Sequence, residues 1–137
     1  MEKPGGENSI MLRIFSRSEK TIKFSLLRKV DIKRTHMVFI YTTCSDEARA
    51  RELAGKMVSD KLAVCVNIWR IGSIYRWEGE LREEKEVAIL IQTNESKVQQ
   101  IEDCVLQNHA YSVPFAGVVD IRRVNREYKE WMSEIIH

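Results

Sequence analysis

An α+β sandwich, with a four-stranded antiparallel sheet, two helices on one face and an extra C-terminal helix, is the fold class this 137-residue sequence predicts. Three observations predict it. Hydrophobic periodicity alternates along the chain in the order strand, helix, strand, strand, helix, strand, helix. Two of the strands, at 37–43 and 87–91, are near-continuous apolar runs, the pattern of strands covered on both faces. Between the second and third strands stands Glu78-Gly79, where glycine supplies the positive φ that a tight hairpin turn needs. The length fits one ordinary domain with a real core and no staples.

Each element follows from its residues. The strand at 37–43 leads into Ser45, the expected helix N-cap, with Asp46 and Glu47 in the first turn where carboxylates complement the helix dipole. Ala50, Leu53, Ala54 and Met57 recur at i, i+3, i+4 and i+7, so that helix has one apolar face and ends near Asp60. From Ala63 the period becomes two, with Val64, Val66 and Ile68 on one side and Cys65, Asn67 and Trp69 on the other. Gly72 predicts a bend or bulge before the strand resumes over 74–77. The return strand is polar over 80–86 and apolar over 87–91, so its outer half protrudes into solvent or meets a partner. Thr93 or Asn94 caps a second helix striped by Val98, Ile101 and Val105, with Cys104 beside the stripe. Residues 108–114 connect it to a strand at 115–121. From about Asn125 a last helix presents Tyr128, Trp131, Met132, Ile135 and Ile136. The order βαββαβ is the ferredoxin-like, split βαβ arrangement, in which the first and third strands are central. Its two helices cover one face only, and this sheet is apolar or aromatic on both. Other copies of the chain are the simplest cover for the second face.

The net charge of +2 hides an asymmetry. Residues 1–36 hold nine Lys and Arg against four Asp and Glu, a net +5, whereas residues 37–137 hold thirteen against sixteen, a net −3. The chain therefore divides into a basic N-terminal extension at 1–36, a leader or a disordered arm, and a single domain at 37–137. Apolar and basic residues are interspersed in the extension, which excludes a secretory signal. From Met11 it is Ser- and Arg-containing and acid-poor, as a mitochondrial or other organelle transit peptide is; the alternative is an extension ahead of a start at Met37. No recognition motif accompanies the charge, so nucleic-acid binding is not expected. No segment has membrane-spanning length. Cys44, Cys65 and Cys104 are odd in number and form no C-x-x-C pair, so they predict neither a disulfide framework nor a zinc site. A reducing compartment, the cytoplasm, is the expected location. G-x-S-x-G, P-loop and H-E-x-x-H motifs are missing too, and an enzyme is not expected.

Several segments carry a resemblance as well as a pattern. They are Tyr41-Thr42-Thr43 with Asp46-Glu47-Ala48; Leu62-Ala63-Val64-Cys65-Val66-Asn67; the hairpin Ser73-Ile74-Tyr75-Arg76-Trp77-Glu78-Gly79; Gln92-Thr93 with Glu95-Ser96; His109-Ala110-Tyr111-Ser112-Val113-Pro114; and Glu127-Tyr128-Lys129-Glu130-Trp131. Over about a hundred residues the chain is similar to the CutA divalent-cation tolerance family. The resemblance implies a ferredoxin-like subunit in a tight homotrimer, with long hairpin strands extending each sheet across a neighbour. It also implies binding of copper or another divalent cation and a role in metal tolerance. The chain departs from the family pattern at Ala110, where proline usually follows the histidine, and at Ser112 and Phe115, where acidic or polar residues are common.

Cys65 and His109 are the metal-ligand candidates, because thiolate and imidazole suit copper and zinc. Neither has a second ligand at diagnostic spacing. On its residues alone Cys65 reads as a small apolar core side chain, and His109 as a loop side chain bonded to backbone. With the resemblance the two form one site, in a subunit-interface cleft. Tyr75, Trp77 and Trp131 are the interface candidates; direct ligand contact is the alternative for the first two, and plain packing beside Tyr128 for the third. Cys44 and Cys104 read as structural. Glu80, Glu83, Glu84 and Glu86 read as a solvated strand edge on which Arg82 and Lys85 discourage aggregation. Three functions fit: a trimeric copper-binding tolerance protein, a PII-like small-molecule sensing or signalling trimer, and a structural module that anchors another protein.

Overall fold

The computed structural model describes residues 36–137, so the basic extension, apart from His36, lies outside the described residues. The elements are β1 (Met37–Cys44), α1 (Glu47–Ser59), β2 (Cys65–Trp77), β3 (Glu80–Asn94), a short 3-10 turn (Glu95–Lys97), α2 (Val98–Gln107), β4 (Ala116–Asp120) and α3 (Arg126–Ile135). All pairings are antiparallel in the order β2-β3-β1-β4, which puts the two near-continuous apolar strands at the centre as expected.

The sheet's alternation sorts its residues between two cores. On the helix side, Ile40 of β1 and Val87, Ile89 and Ile91 of β3 meet Ala50 and Met57 of α1 and Ile101 and Val105 of α2. Burying each of the larger side chains is worth roughly 1.5–3 kcal/mol, which seats both helices. On the other face Met37 and Val64 pack with Trp131, Met132 and Ile136, and Phe39, Cys65 and Tyr128 flank them. Thus α3 covers one end of the second face from within the same chain. The rest of that face is not covered by the described residues: Trp69 is 42%, Val119 50% and Phe115 58% exposed.

The hairpin runs on beyond the main sheet. β1 pairs with β3 only from Val87 to Asn94, so over residues 80–86 the strand has β2 as its one sheet neighbour among the described residues. Its two-residue turn has both central residues at positive φ, Glu78 at 50° and Gly79 at 79°. That geometry matches the right-handed twist of the strands it joins.

Local corrections have physical reasons. The N-cap of α1 is Asp46, not Ser45: its backbone is extended and its carboxylate accepts the Arg49 N–H at 2.8 Å. An acidic cap adds charge complementarity with the helix dipole, which a serine lacks. Gly72 makes no bulge, because the register from Cys65↔Gln92 to Trp77↔Glu80 is unbroken with Gly72 opposite Lys85. Val64 packs with the α3 cluster and not with Val66 and Ile68, since it precedes the first residue of β2 and strand alternation does not govern it. Asn94 rather than Thr93 caps the next turn by accepting the Ser96 N–H at 3.1 Å, while the Thr93 hydroxyl donates to the Leu62 carbonyl at 2.7 Å. The last strand is trimmed to Ala116–Asp120.

Candidate functional site

Polar and aromatic residues converge where β1 ends, the hairpin leaves the sheet and the loop after α2 crosses. Cα partners in an antiparallel pair share a face, so Ile71↔Glu86, Ser73↔Glu84 and Tyr75↔Arg82 set Glu86, Glu84 and Arg82 on the same side as Tyr75 and Trp77. The loop supplies the facing wall with Tyr111 and Ser112, and the groove between them has a volume of about 710 Å³.

Glu86 is its anchor. The Tyr111 hydroxyl donates to the Glu86 carboxylate at 2.9 Å. Burial pushes the Glu86 carboxyl up, but hydrogen bonds from Ser73, Tyr111 and Thr43 outweigh it and hold the group below its ordinary value. For Tyr111, burial and the Glu86 carboxylate both push the phenol well up, so it stays a donor.

His109 holds the loop down. Its Nε2 lies 2.5 Å from the Thr43 carbonyl, and its Nδ1 accepts the Tyr111 N–H at 3.1 Å. This pair of partners assigns the neutral Nε2–H tautomer and occupies both ring nitrogens. The imidazole also leans on the Tyr111 ring, with centroids 4.6 Å apart.

Cys65 stands elsewhere, half-buried under α3. Beside it runs a polar chain in which the Tyr128 hydroxyl donates to Gln92 Oε1 at 2.5 Å and Gln92 Nε2 donates to Asn67 Oδ1 at 2.7 Å. Burial, with a smaller contribution from Cys65, pushes the Tyr128 phenol up to about 12. Cys65 pairs with Gln92, whereas the Thr43 that His109 grips pairs with Ala88. That separation along β3 is about 13 Å, so one protomer does not bring the two ligand candidates together. Among the described residues no group of three or more His, Cys, Asp or Glu side chains is placed to hold a metal ion. The described donors of a single protomer therefore do not fit a metal centre.

Of the interface candidates, Tyr75 is 36% and Trp77 40% exposed, while Trp131 is only 8% exposed and packs within its own chain, its ring 5.2 Å from Tyr128. Cys44 is in the main core and its thiol donates to the Asp46 carbonyl at 3.2 Å; Cys104 packs against the same core. Of the four acidic residues read as a strand edge, Glu84 and Glu86 line the groove. Tyr111 and Glu86 were not singled out from sequence as a pair. The signal available was that Glu86 shares a face with Trp77 by period two.

Between the two ends lies a row of rings. Tyr41 is 6.3 Å from Trp69 on one side and 6.3 Å from Phe115 on the other. Gly117 lies under Phe115, where an added Cβ would come 2.6 Å from the ring.

Residues 38–135 match the family described as CutA1 divalent ion tolerance protein. The divalent-cation tolerance protein CutA of Thermococcus kodakarensis is 34% identical over 99 residues, which span 72% of this chain and 95% of that protein. Protein CutA 1, chloroplastic, of Oryza sativa is 36% identical over 97 residues, 70% of this chain and 55% of that protein. Among solved structures, the periplasmic divalent cation tolerance protein CutA of Archaeoglobus fulgidus superimposes with a TM-score of 0.72 at 32% identity, covering 74% of this chain and 99% of its own. CutA1 from Oryza sativa superimposes with a TM-score of 0.71 at 34% identity, covering 75% and 97%.

Proposed function

The chain belongs to the CutA1 divalent ion tolerance family, and from that premise we propose that it acts in metal tolerance as a homotrimer that binds a divalent cation, copper above all. One observation carries the assembly: the ring row Phe115, Tyr41 and Trp69 crosses a sheet face that α3 covers at one end only. An apolar surface of this kind marks a contact. Rotational symmetry lets one such surface serve every copy. The hairpin beyond Val87, whose outer half has only β2 beside it, reaches over the neighbour in this reading.

Thiolate and imidazole are the donors that favour copper here. Because Cys65 and His109 stand apart in one protomer, the cation in this reading lies between copies, held by Cys65 of one and His109 of the next. His109 would give up the Tyr111 N–H at Nδ1 to do so. The protein works by binding and not as an enzyme. No helix among the described residues is long and apolar enough to cross a membrane. We assign the protein to the cytoplasm, with an organelle as the alternative if residues 1–36 are a transit peptide.

Light scattering of the full chain tests the assembly: a mass three times that of the chain is expected, and a monomeric mass overturns it. Copper titration calorimetry tests the cation. Cys65→Ser and His109→Ala should each weaken binding, and unchanged titrations in both reject these ligands. The groove beside Glu86 favours a second reading, a PII-like sensing trimer. A ligand that binds only the folded state raises its unfolding temperature, so a flat thermal response across a panel of nucleotides and metabolites would remove that reading.

A further inference from the structure

We propose that the basic segment at 28–34, just ahead of β1, docks on the acidic side of α3 in the same chain and sets a lysine or arginine on the buried carboxylate of Glu130. Neither the copper ligands nor the groove beside Glu86 takes part, and the docking belongs to the chain that keeps its N-terminal extension.

Helix geometry comes first. Tyr128, Met132 and Ile135 recur at i, i+4 and i+7 and turn toward the sheet, where they join the cluster under α3. Glu127, Glu130 and Glu134, at i, i+3 and i+7, form a second stripe. Glu130 is two residues from both Tyr128 and Met132, so at about 100° per residue it lies on the side of the helix turned away from the sheet. A carboxylate so placed on a surface helix belongs in water. Glu130 is instead 1% exposed, and its Oε1 has no hydrogen-bond partner among the described residues. Burying a carboxylate is costly unless a cation or donor reaches it.

Position and charge name the occupant. The extension enters the domain at His36, and His36 and Lys129 line one crevice of about 180 Å³, so the chain arrives beside α3 next to Glu130. Met37, the following residue, packs with Trp131 and Met132. A helix of 10 residues is about 15 Å long, which about five extended residues span, so the segment 28–34 is long enough to lie along all of it. It holds Arg28, Lys29, Lys33 and Arg34 against Asp31 alone. The sheet face beyond α3 and the Tyr75–Trp77 face of the hairpin are not used, so a neighbouring copy can cover both while the segment stays on α3.

The test treats the full chain, in its own assembly, with a zero-length carbodiimide, which joins a lysine amine to a carboxylate only where the two touch. Mass spectrometry should find Lys29 or Lys33 linked to Glu127, Glu130 or Glu134. Trypsin, which cuts after lysine and arginine, gives a second reading. Lys33→Glu with Arg34→Glu leaves the domain untouched and should speed cleavage at Arg28 roughly tenfold, the loss expected when a charge-assisted contact goes. Glu130→Lys should speed it as well, and joining all three changes should restore protection. Unchanged cleavage in Lys33→Glu with Arg34→Glu overturns the proposal. So does the lack of any link to α3, or an equal spread of links to exposed carboxylates such as Glu52 and Asp103, which marks a free arm. In assemblies mixed from isotope-labelled and unlabelled chains, links found only between different copies overturn docking within one chain.

Discussion

The Tyr111 hydroxyl sits 2.9 Å from the Glu86 carboxylate and ties the loop that carries His109 to the base of the protruding hairpin. Because the Glu86 carboxyl lies below its ordinary 4.5 in the fold, the ionised form is the one the fold favours. Its contribution to stability is present above pH 4.5 and is lost as pH falls through the lower folded value. Tyr111→Phe should cost about 1 kcal/mol at pH 7. In urea unfolding at pH 3 the gap between variant and parent should narrow; a constant gap would mean the bond does not depend on the Glu86 charge.

Tyr128 provides the opposite sign. Burial, aided by Cys65, raises its phenol to about 12, so its neutral form is favoured in the fold and its stabilising contribution persists below the ordinary value of 10. That contribution disappears as pH rises through about 12. Absorbance titration should show late-ionising tyrosines, Tyr111 among them, and Tyr128→Phe should remove the one with a midpoint at about 12. Cys65→Ser should move its midpoint only slightly, since burial is the larger cause.

Met132 is fully buried under the far face, in the cluster that fastens α3 to the sheet. Met132→Ala should destabilise the protein by about 2–5 kcal/mol. Near-UV circular dichroism should lose the Trp131 signal first if α3 detaches before the main core.

Asp46→Ala should cost about 1 kcal/mol, because it removes the bond to the Arg49 N–H and a charge at the helix start. Ser45→Ala should cost much less: the hydroxyl's hydrogen bond is to the neighbouring Asp46 carboxylate, at 3.3 Å on the surface. Equal losses in thermal unfolding would reassign the cap.

Gly117→Ala should displace the Phe115 ring, which lies where the new methyl group must go. The ring is 58% exposed and free to rotate outward, so the protomer should lose under about 1 kcal/mol. Its edge contact with Tyr41 should disappear from ring-current shifts. In a background already carrying Phe115→Ala the same glycine change should have little effect.

Order, type and rough extent of the elements were legible along the chain, because burial writes itself into local period: 3.6 in α1 and α2, two in β2, and an unbroken run in the central strands. The hairpin turn was legible as well, since few residues besides glycine tolerate the φ found at Gly79. Resemblance to a family was readable in the strings around Cys65, Trp77 and Tyr111. The tertiary structure alone decided which residues of different elements meet. Strand register set Cys65 beside Gln92 and His109 beside Thr43, about 13 Å apart along β3. It also put Glu86 under Tyr111 and left Trp69 uncovered while α3 took Trp131 inward. Period shows which face a side chain occupies, but distance between faces and ends depends on pairing and packing among residues far apart in sequence, and no local pattern encodes that.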